Sequence, residues 1–515
     1  MKSYNIVTIL IVAVLVFSCK DFEELEQNQN KPTTAPASLV LNQVLNDLFE
    51  RPWSLEHRQN QFSCCNYNYY GTNEYWASAT LNFMTLKNVI KMEEEALRSG
   101  AAEVNPYSAL GKFLRAYFYV RMSQRVGDLP LSEALQGLEN PAPTYNTQKE
   151  IYVQVLNWLD EANADLAQLI SANDITLGGD FYFDNDLTKW QKTVNTFKLR
   201  VLISLSKKEG DADLNVKGRF KAVIDNPAQF PVMTSILDNM EYVFNGTSNL
   251  YTTNPGNRGF DKGRYNMAAT LLGLMTSLKD PRTYVVANPA KKKIADGMDP
   301  KDFNAYIGAP SGESLDDMTF KAGNGEYSYA NQKRYYTTFT GPEATIQIGF
   351  PELCFTVAEA INRGWVTGDA ADYYKKGITA AMRLSGIEDG KTLEITEPDA
   401  DQVLATVTVS VTDYLNQPQV VYAGNNAAGL KQIIEQKYLA FFQNSGQEAY
   451  FNYRRTGFPT FDDGPGTGNG GNIPVRWLYP VSEVTNNTAN YRAALTRQFG
   501  SEVDDLDNEL WINKN

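Results

Sequence analysis

Apolar residues recur at helical spacing through most of this chain. Leu110, Phe113, Leu114 and Tyr117 fall at i, i+3, i+4 and i+7, and Gly127-Asp128-Leu129-Pro130 then breaks the run. Ile151, Val155, Trp158, Leu159, Ala162, Leu166 and Leu169 predict a second amphipathic helix, and Trp190, Val194, Phe197, Val201 and Leu205 a third. Later stripes run from Leu353 to Ile361, through Tyr374-Ile378-Met382, and through Leu430-Ile433-Ile434 to Phe441. The helices begin about 40 residues apart and pair through short breaks. An amphipathic hairpin cannot bury its face alone, so the pattern predicts a mostly α fold of stacked, tetratricopeptide-like helical hairpins with at most minor β. Two strand-like runs, Val407 to Val411 and Gln419 to Tyr422, are expected either to pair or to stay as extended edges.

The pattern lapses over residues 245–350. That stretch holds 12 of the 36 glycines, together with Asn254-Pro255-Gly256-Asn257. A long irregular excursion inside a helical protein usually carries binding, because a rigid scaffold presents its loops. The folded body therefore divides into N-terminal hairpins (41–244), a loop-rich excursion (245–350) and C-terminal helices (351–515) with a Gly-rich loop at 462–474.

The first residues read differently. Lys2 precedes an apolar stretch from Ile6 to Phe17, and Ser18-Cys19 follows. Twelve helical residues rise about 18 Å, too little for a hydrocarbon core of roughly 30 Å. Residues 1–18 are thus expected to be a secretion signal, with Cys19 the lipidated first residue of the mature chain, although bulky Phe17 stands where a lipoprotein box favours a small residue. Several acyl chains on one residue suffice for durable membrane attachment. Polar residues with prolines at 32 and 36 then predict a flexible tether over 19–40, and the acids at 21, 23 and 24 suit outer-surface sorting.

Composition narrows the chemistry. The 515 residues carry 47 lysines and arginines against 60 acids, for a net charge of −13, which disfavours nucleic acid as a partner. His57 is the single histidine, so multi-histidine metal sites are impossible. Four cysteines make no disulfide framework; adjacent Cys64-Cys65 and Cys354 are expected as packed thiols. Gly464-x-Gly466-x-Gly468-x-Gly470 lacks the strand and helix of a phosphate loop and follows two aspartates. No cofactor is expected. Structural calcium is left open at Asp184-Asn185-Asp186 or among Asp296, Asp299 and Asp302, although neither set has calcium-loop spacing.

The sharper signal is aromatic. Trp53, Tyr67, Tyr69, Tyr70, Tyr75 and Trp76 are interleaved with Asn66, Asn68 and Asn73. Rings with polar handles beside amides suit the C–H faces and hydroxyl rims of sugars, and equally an extended peptide. The alternative is that these rings pad one hairpin against another. The ligand-binding candidates are Tyr67, Tyr69, Tyr70, Asn73, Tyr75 and Trp76, with Asn254, Arg258 and Tyr265 from the excursion and the tyrosines of 327–336 beside them.

The chain also resembles a known family from its lipoprotein cysteine to its C-terminal region. Phe22-Glu23-Glu24-Leu25 and Asn28 to Pro32 come first, then Leu114-Arg115-Ala116-Tyr117 leading to Gly127-Asp128-Leu129-Pro130-Leu131-Ser132-Glu133-Ala134. Trp190-Gln191-Lys192, Asn195 and Lys198-Leu199-Arg200 follow, then Ala358-Glu359-Ala360, Arg363-Gly364-Trp365 and Gln436-Lys437-Tyr438. Arg454-Arg455-Thr456-Gly457-Phe458-Pro459, Ile473-Pro474-Val475-Arg476, Tyr479-Pro480 and Glu483 close the series. In this order they resemble the SusD/RagB family of nutrient-binding outer-membrane lipoproteins, in its SusD-like branch, with Tyr450 where tryptophan is usual. The resemblance implies a tetratricopeptide-like helical fold and a lid-like partnership with a SusC-like TonB-dependent transporter barrel. It further implies capture of oligosaccharides, or of peptides in the RagB-like case, with no catalytic residues. Its motifs mark the scaffold: Arg454-Arg455 is expected to satisfy carbonyls or carboxylates. The expectation is therefore a surface-exposed, lipid-anchored receptor and not an enzyme, with a surface glycoside hydrolase or a ligand-free scaffold as rivals.

Overall fold

A computed structural model describes residues 34–515. Cys19, the signal stretch 1–18 and the tether up to residue 33 lie outside the described residues. The body opens with α1 (Ala37–Leu48), which begins inside the stretch read as tether because Pro36 starts it and Ala37, Leu41, Val44, Leu45 and Leu48 all find buried places. The N-terminal half continues through α2 (Phe83–Arg98), α3 (Pro106–Val126), α4 (Gln148–Ser171), α5 (Leu187–Ser204) and α6 (Val216–Asp225), each packed on its predecessor. The C-terminal half is built from α7 (Phe350–Asn362), α8 (Ala370–Leu384), α9 (Ala427–Ala440), α10 (Glu448–Thr456) and α11 (Thr488–Phe499), with α7 lying on α5 to join the halves. The fold is the predicted mostly helical one.

Local chemistry explains these boundaries. Asn105 and Thr147 form capping boxes with Ser108 and Glu150 at the starts of α3 and α4, and Asp186 caps α5 through Thr188 and Lys189. Asp186 thus has a structural task. Asp302 likewise caps a short turn through Asn304, and Asp299 accepts from Lys301. Among the described residues no group of three or more His, Cys, Asp or Glu side chains converges as metal ligands would. Gly127 ends α3 at φ 92°, where a side chain would collide with Gln498. Buried Asp128 beside it accepts from Gln148 N at 2.8 Å and Arg497 Nε at 2.9 Å, so the turn motif fastens α4 and α11 together.

Buried ion pairs stitch the centre. Arg200 on α5 meets Glu352 on α7 at 2.7 Å, Arg455 on α10 meets Glu359 on α7 at 2.9 Å, and Lys437 on α9 donates to Thr356 at 3.0 Å. Arg454 donates to the Val475 carbonyl at 2.9 Å. Both arginines of the motif therefore serve the scaffold.

Strands are few among the described residues: β1 (Ser63–Cys65), β2 (Met240–Tyr242), β3 (Tyr265–Met267), β4 (Thr345–Ile348), β5 (Thr392–Thr396) and β6 (Val403–Thr408). They form three antiparallel pairs, β1–β3, β2–β4 and β5–β6. The expected runs at 407–411 and 419–422 do not pair with each other. Ser410 caps a short helix at Val411–Leu415 by accepting from Asp413 N, and 419–422 is a turn. The excursion is less irregular than its composition suggests, holding short helices at Ala269–Ser277 and Leu315–Gly323 and supplying both β3 and β4.

Cys64, Cys65 and Cys354 are free and buried. In the Gly-rich loop, Gly466 N donates to the Gly312 carbonyl at 3.0 Å and Thr467 O accepts from Tyr75 N at 2.8 Å. Its glycines allow close backbone contact; a side chain at Gly466 would strike the Glu313 carbonyl. No helix among the described residues is long and apolar enough to cross a membrane.

Candidate functional site

The β1–β3 pair brings the aromatic segment onto the excursion, with Cys64 opposite Asn266 and Cys65 opposite Tyr265. Immediately after β1, Asn66 is held from three sides. Its N–H donates to the Arg264 carbonyl at 2.9 Å, its side-chain amide donates to Asn266 Oδ1 at 2.7 Å and Gly263 O at 3.1 Å, and its carbonyl accepts from Thr319 Oγ1 at 2.6 Å. The chain then makes a single helical turn at Asn68–Tyr70, ended by Gly71 at φ 145°. A rigid base thus carries a short turn made almost entirely of rings.

Those rings face outward. Tyr69 is 82% exposed and Tyr67 43%, with Tyr70 half-buried between them. Tyr69 and Tyr70 meet edge to face at 5.2 Å, and Tyr67 lies 6.2 Å from Tyr70. Tyr265 donates from its hydroxyl to the Tyr70 carbonyl at 3.3 Å. The Arg264 guanidinium lies over Tyr67 at 4.9 Å and Tyr70 at 5.6 Å, and Arg58 lies over Tyr265 at 5.7 Å. Burial pushes the Tyr265 phenol above its ordinary value, so it stays a neutral donor. Tyr67, Tyr69, Tyr70 and Tyr265 are therefore brought together.

The other candidates are placed differently. Asn73 is buried, accepting from Cys65 N at 2.7 Å and donating to Cys65 O at 2.8 Å, as a neighbouring strand would. Tyr75 donates to the Gln59 carbonyl at 2.7 Å. Trp76 stacks on Trp477 at 3.6 Å and 8°, donates from Nε1 to the Arg476 carbonyl, and meets Tyr450 edge-on at 4.7 Å. Tyr450 donates to the Pro474 carbonyl at 2.5 Å from the middle of this stack. Buried Asn254 closes its own turn through Tyr251 O and Gly256 N, and Arg258 pairs with Asp401 at 2.5 Å. In 327–336, Tyr327, Tyr329, Tyr335 and Tyr336 are all buried.

Two further exposed rings follow or precede residues that hold Asn66. Phe260, 71% exposed, lies three residues before Gly263, and Phe320, 70% exposed, directly follows Thr319; Gly263 and Thr319 both bond Asn66. A weak signal existed for Phe320. Its helix buries Met318 and Ala322, which turns the residue between them to the opposite face. Arg264 and Arg58 carried no local signal, because only the strand pairing and the turn at Gly71 bring them to the rings.

The tyrosine cluster is a platform, not a pocket. A concavity of about 310 Å³ lies elsewhere, between α8 and residues 235–236 and 350, and is lined by Lys375, Lys376 and Arg383 over Ile236 and Phe350. An enclosed polar cavity of about 60 Å³ behind Arg334 and Glu343 has room for ordered water and little more. Size therefore does not select the site. Ring exposure, fixed geometry and donor-rich edges favour the platform.

Comparison with known proteins agrees with this architecture. No curated protein matches the sequence. Among solved structures, a SusD homolog from Bacteroides fragilis superposes with a TM-score of 0.80 at 30% identity, covering 93% of this chain and 100% of that one. A second SusD homolog from the same species gives 0.77 at 28%, covering 94% and 100%. A chitin-binding SusD homolog from Flavobacterium johnsoniae shares the fold, with 0.68 at 20% identity over 93% and 99%. The family model described as starch-binding and associating with the outer membrane matches residues 28–480. Stacked hairpins, scaffold arginines and a match across nearly the whole described chain together make this protein a member of the SusD-like family.

Proposed function

We propose that this protein is a lipid-anchored glycan receptor of the outer-membrane surface, which captures oligosaccharides on its tyrosine platform and hands them unaltered to a TonB-dependent transporter. The observation that carries the reading is the outward ring cluster of Tyr67, Tyr69 and Tyr70 on a base pinned through Asn66. Rings already fixed by the scaffold lose little ordering entropy on capture, and their faces match the C–H surfaces of sugar rings. Glycan cargo is supported by the starch-binding description of the family and by the chitin-binding homolog. The anchor is assigned to Cys19, and capture is proposed to proceed without catalysis, as suits a donor that must release its cargo to a partner.

Isothermal titration of the purified protein against maltohexaose, chitohexaose and a wider glycan panel tests this. Saturable binding of at least one oligosaccharide, with no change in its chain length on prolonged incubation, is expected. Binding of none, or release of new reducing ends that ceases on removing one carboxylate pair, would overturn it.

A further inference from the structure

Building on the reading that the tyrosine platform binds glycan, we infer that its ligand carries carboxylates: the platform is shaped for a uronate-bearing oligosaccharide, with Arg264 and Arg58 as the charge-reading residues.

The chain is acidic overall, at −13, and most of its arginines meet carboxylates, as Arg200 does Glu352, Arg455 Glu359 and Arg497 Asp128. Arg264 and Arg58 break that habit. Neither forms an ion pair among the described residues; both lie instead over tyrosine rings. Arg51, Arg125 and Arg454 also lack an ion pair, but Arg125 and Arg454 are committed to Gln447 and to the Val475 carbonyl, and exposed Arg51 lies over Phe49, away from the tyrosine cluster's own rings. Arg264 donates no side-chain hydrogen bond among the described residues, and Arg58 donates only Nε, to the Thr72 carbonyl at 3.2 Å. Neither guanidinium is sealed away from solvent. Two half-buried forks thus stand with their terminal N–H groups uncommitted.

Their placement is not that of freely waving side chains. Arg264 rests on the faces of Tyr67 and Tyr70, and Arg58 on the face of Tyr265. Gly71 makes room for the second, since a Cβ there would lie 2.8 Å from Arg58 Nη2. A guanidinium seated on a ring keeps its edge donors available, and that planar fork matches a carboxylate through two parallel hydrogen bonds. Of the acids close to this rim in sequence or contact, Asp401 is paired with Arg258 and Asp399 with Lys262 and Lys291, while Asp261 has no cation partner among the described residues and is partly enclosed beside Tyr336. A uronate can therefore place its ring against tyrosine and its carboxylate on the uncommitted edge of either fork.

The test uses the full chain in detergent and two probes that share one sugar backbone, hexagalacturonate and its uncharged methyl ester, with maltohexaose and a hexaglutamate peptide as further arms. Hexagalacturonate is expected to bind at least about tenfold tighter than the ester, as one charge-assisted pair warrants. Arg264→Ala should abolish most of that preference, Arg58→Ala should reduce it, and half-molar salt should shrink it, while Tyr69→Ala weakens both probes. Equal binding of acid and ester overturns the inference, and so does tighter binding of hexaglutamate. If maltohexaose binds and the acid does not, the charge inference falls and the receptor reading stands. If no glycan binds at all, both fall.

Discussion

The side-chain amide of Asn66 donates to Asn266 Oδ1 at 2.7 Å across 200 residues of sequence. This bond, with the one from Asn66 to Gly263, sets the end of β1 against β3 and so fixes the turn that carries the tyrosines. Asn66→Ala leaves buried partners unsatisfied and is expected to cost about 1–3 kcal/mol in denaturant unfolding. Glycan binding should fall as well, because the rings lose their base. Unchanged affinity alongside lost stability would show that the platform does not depend on this anchor.

Exposed and stacked rings should separate cleanly on mutation. Tyr69→Ala removes a side chain that is mostly in water, so unfolding should change by less than about 0.5 kcal/mol while binding weakens. Trp76→Ala opens a gap beside Trp477 and Tyr450, and a loss of about 3 kcal/mol is expected. Calorimetric unfolding of both variants beside titration with glycan decides this. A destabilised Tyr69 variant with intact binding would remove the ring from the site.

Acid stability should bear the mark of Glu359. Burial alone would raise its carboxyl, but the charge and hydrogen bonds of Arg455 outweigh burial and hold it at about 2, against an ordinary 4.5. A folded value below the unfolded one gives stability that is complete above about pH 5 and fades as pH falls through about 2. The shift corresponds to about 3 kcal/mol. The stability gap between wild type and Glu359→Gln should therefore narrow between about pH 5 and pH 2; a constant gap would contradict the pairing.

Glu448 should behave in the opposite sense. Burial raises its carboxyl to about 7 even though Arg200 pulls it down. The folded state then holds a proton that the unfolded chain releases, so this group's contribution is complete below about pH 4.5 and declines as pH rises through about 7. Glu448→Gln is expected to gain on wild type between about pH 5 and pH 8 in chemical unfolding. Parallel profiles would show that Glu448 is already ionised in the fold.

Gly127 offers a purely conformational check. Its backbone is left-handed at φ 92°, and a methyl group there would strike Gln498 and crowd Leu510. Gly127→Ala should destabilise by at least about 1–2 kcal/mol while leaving the affinity of the folded fraction unchanged. A neutral effect on unfolding would mean that the α3–α4 turn tolerates other geometries.

The helices were readable from sequence because each buries one face, and a buried face writes its period into the chain: the stripes at 110–117 and 151–169 lie within α3 and α4, and that at 190–205 runs along α5 to its C-terminal cap at Leu205. The motif arginines were likewise readable as scaffold, since a guanidinium inside a helical core must find a carboxylate or carbonyl, as Arg455 and Arg454 do. Ring clustering at 67–76 was visible too, but its division was not. Tyr67 and Tyr69 face water while Trp76 stacks on Trp477, because that outcome depends on what chain arrives from 400 residues away. The same holds for Arg264 and Phe320, which nothing local connects to Tyr67. Sequence by itself determined the architecture, because burial periodicity is a local property. Only the tertiary structure decided which rings and charges share a surface, because the β1–β3 pairing and the Asn66 contacts act between segments that carry no record of one another.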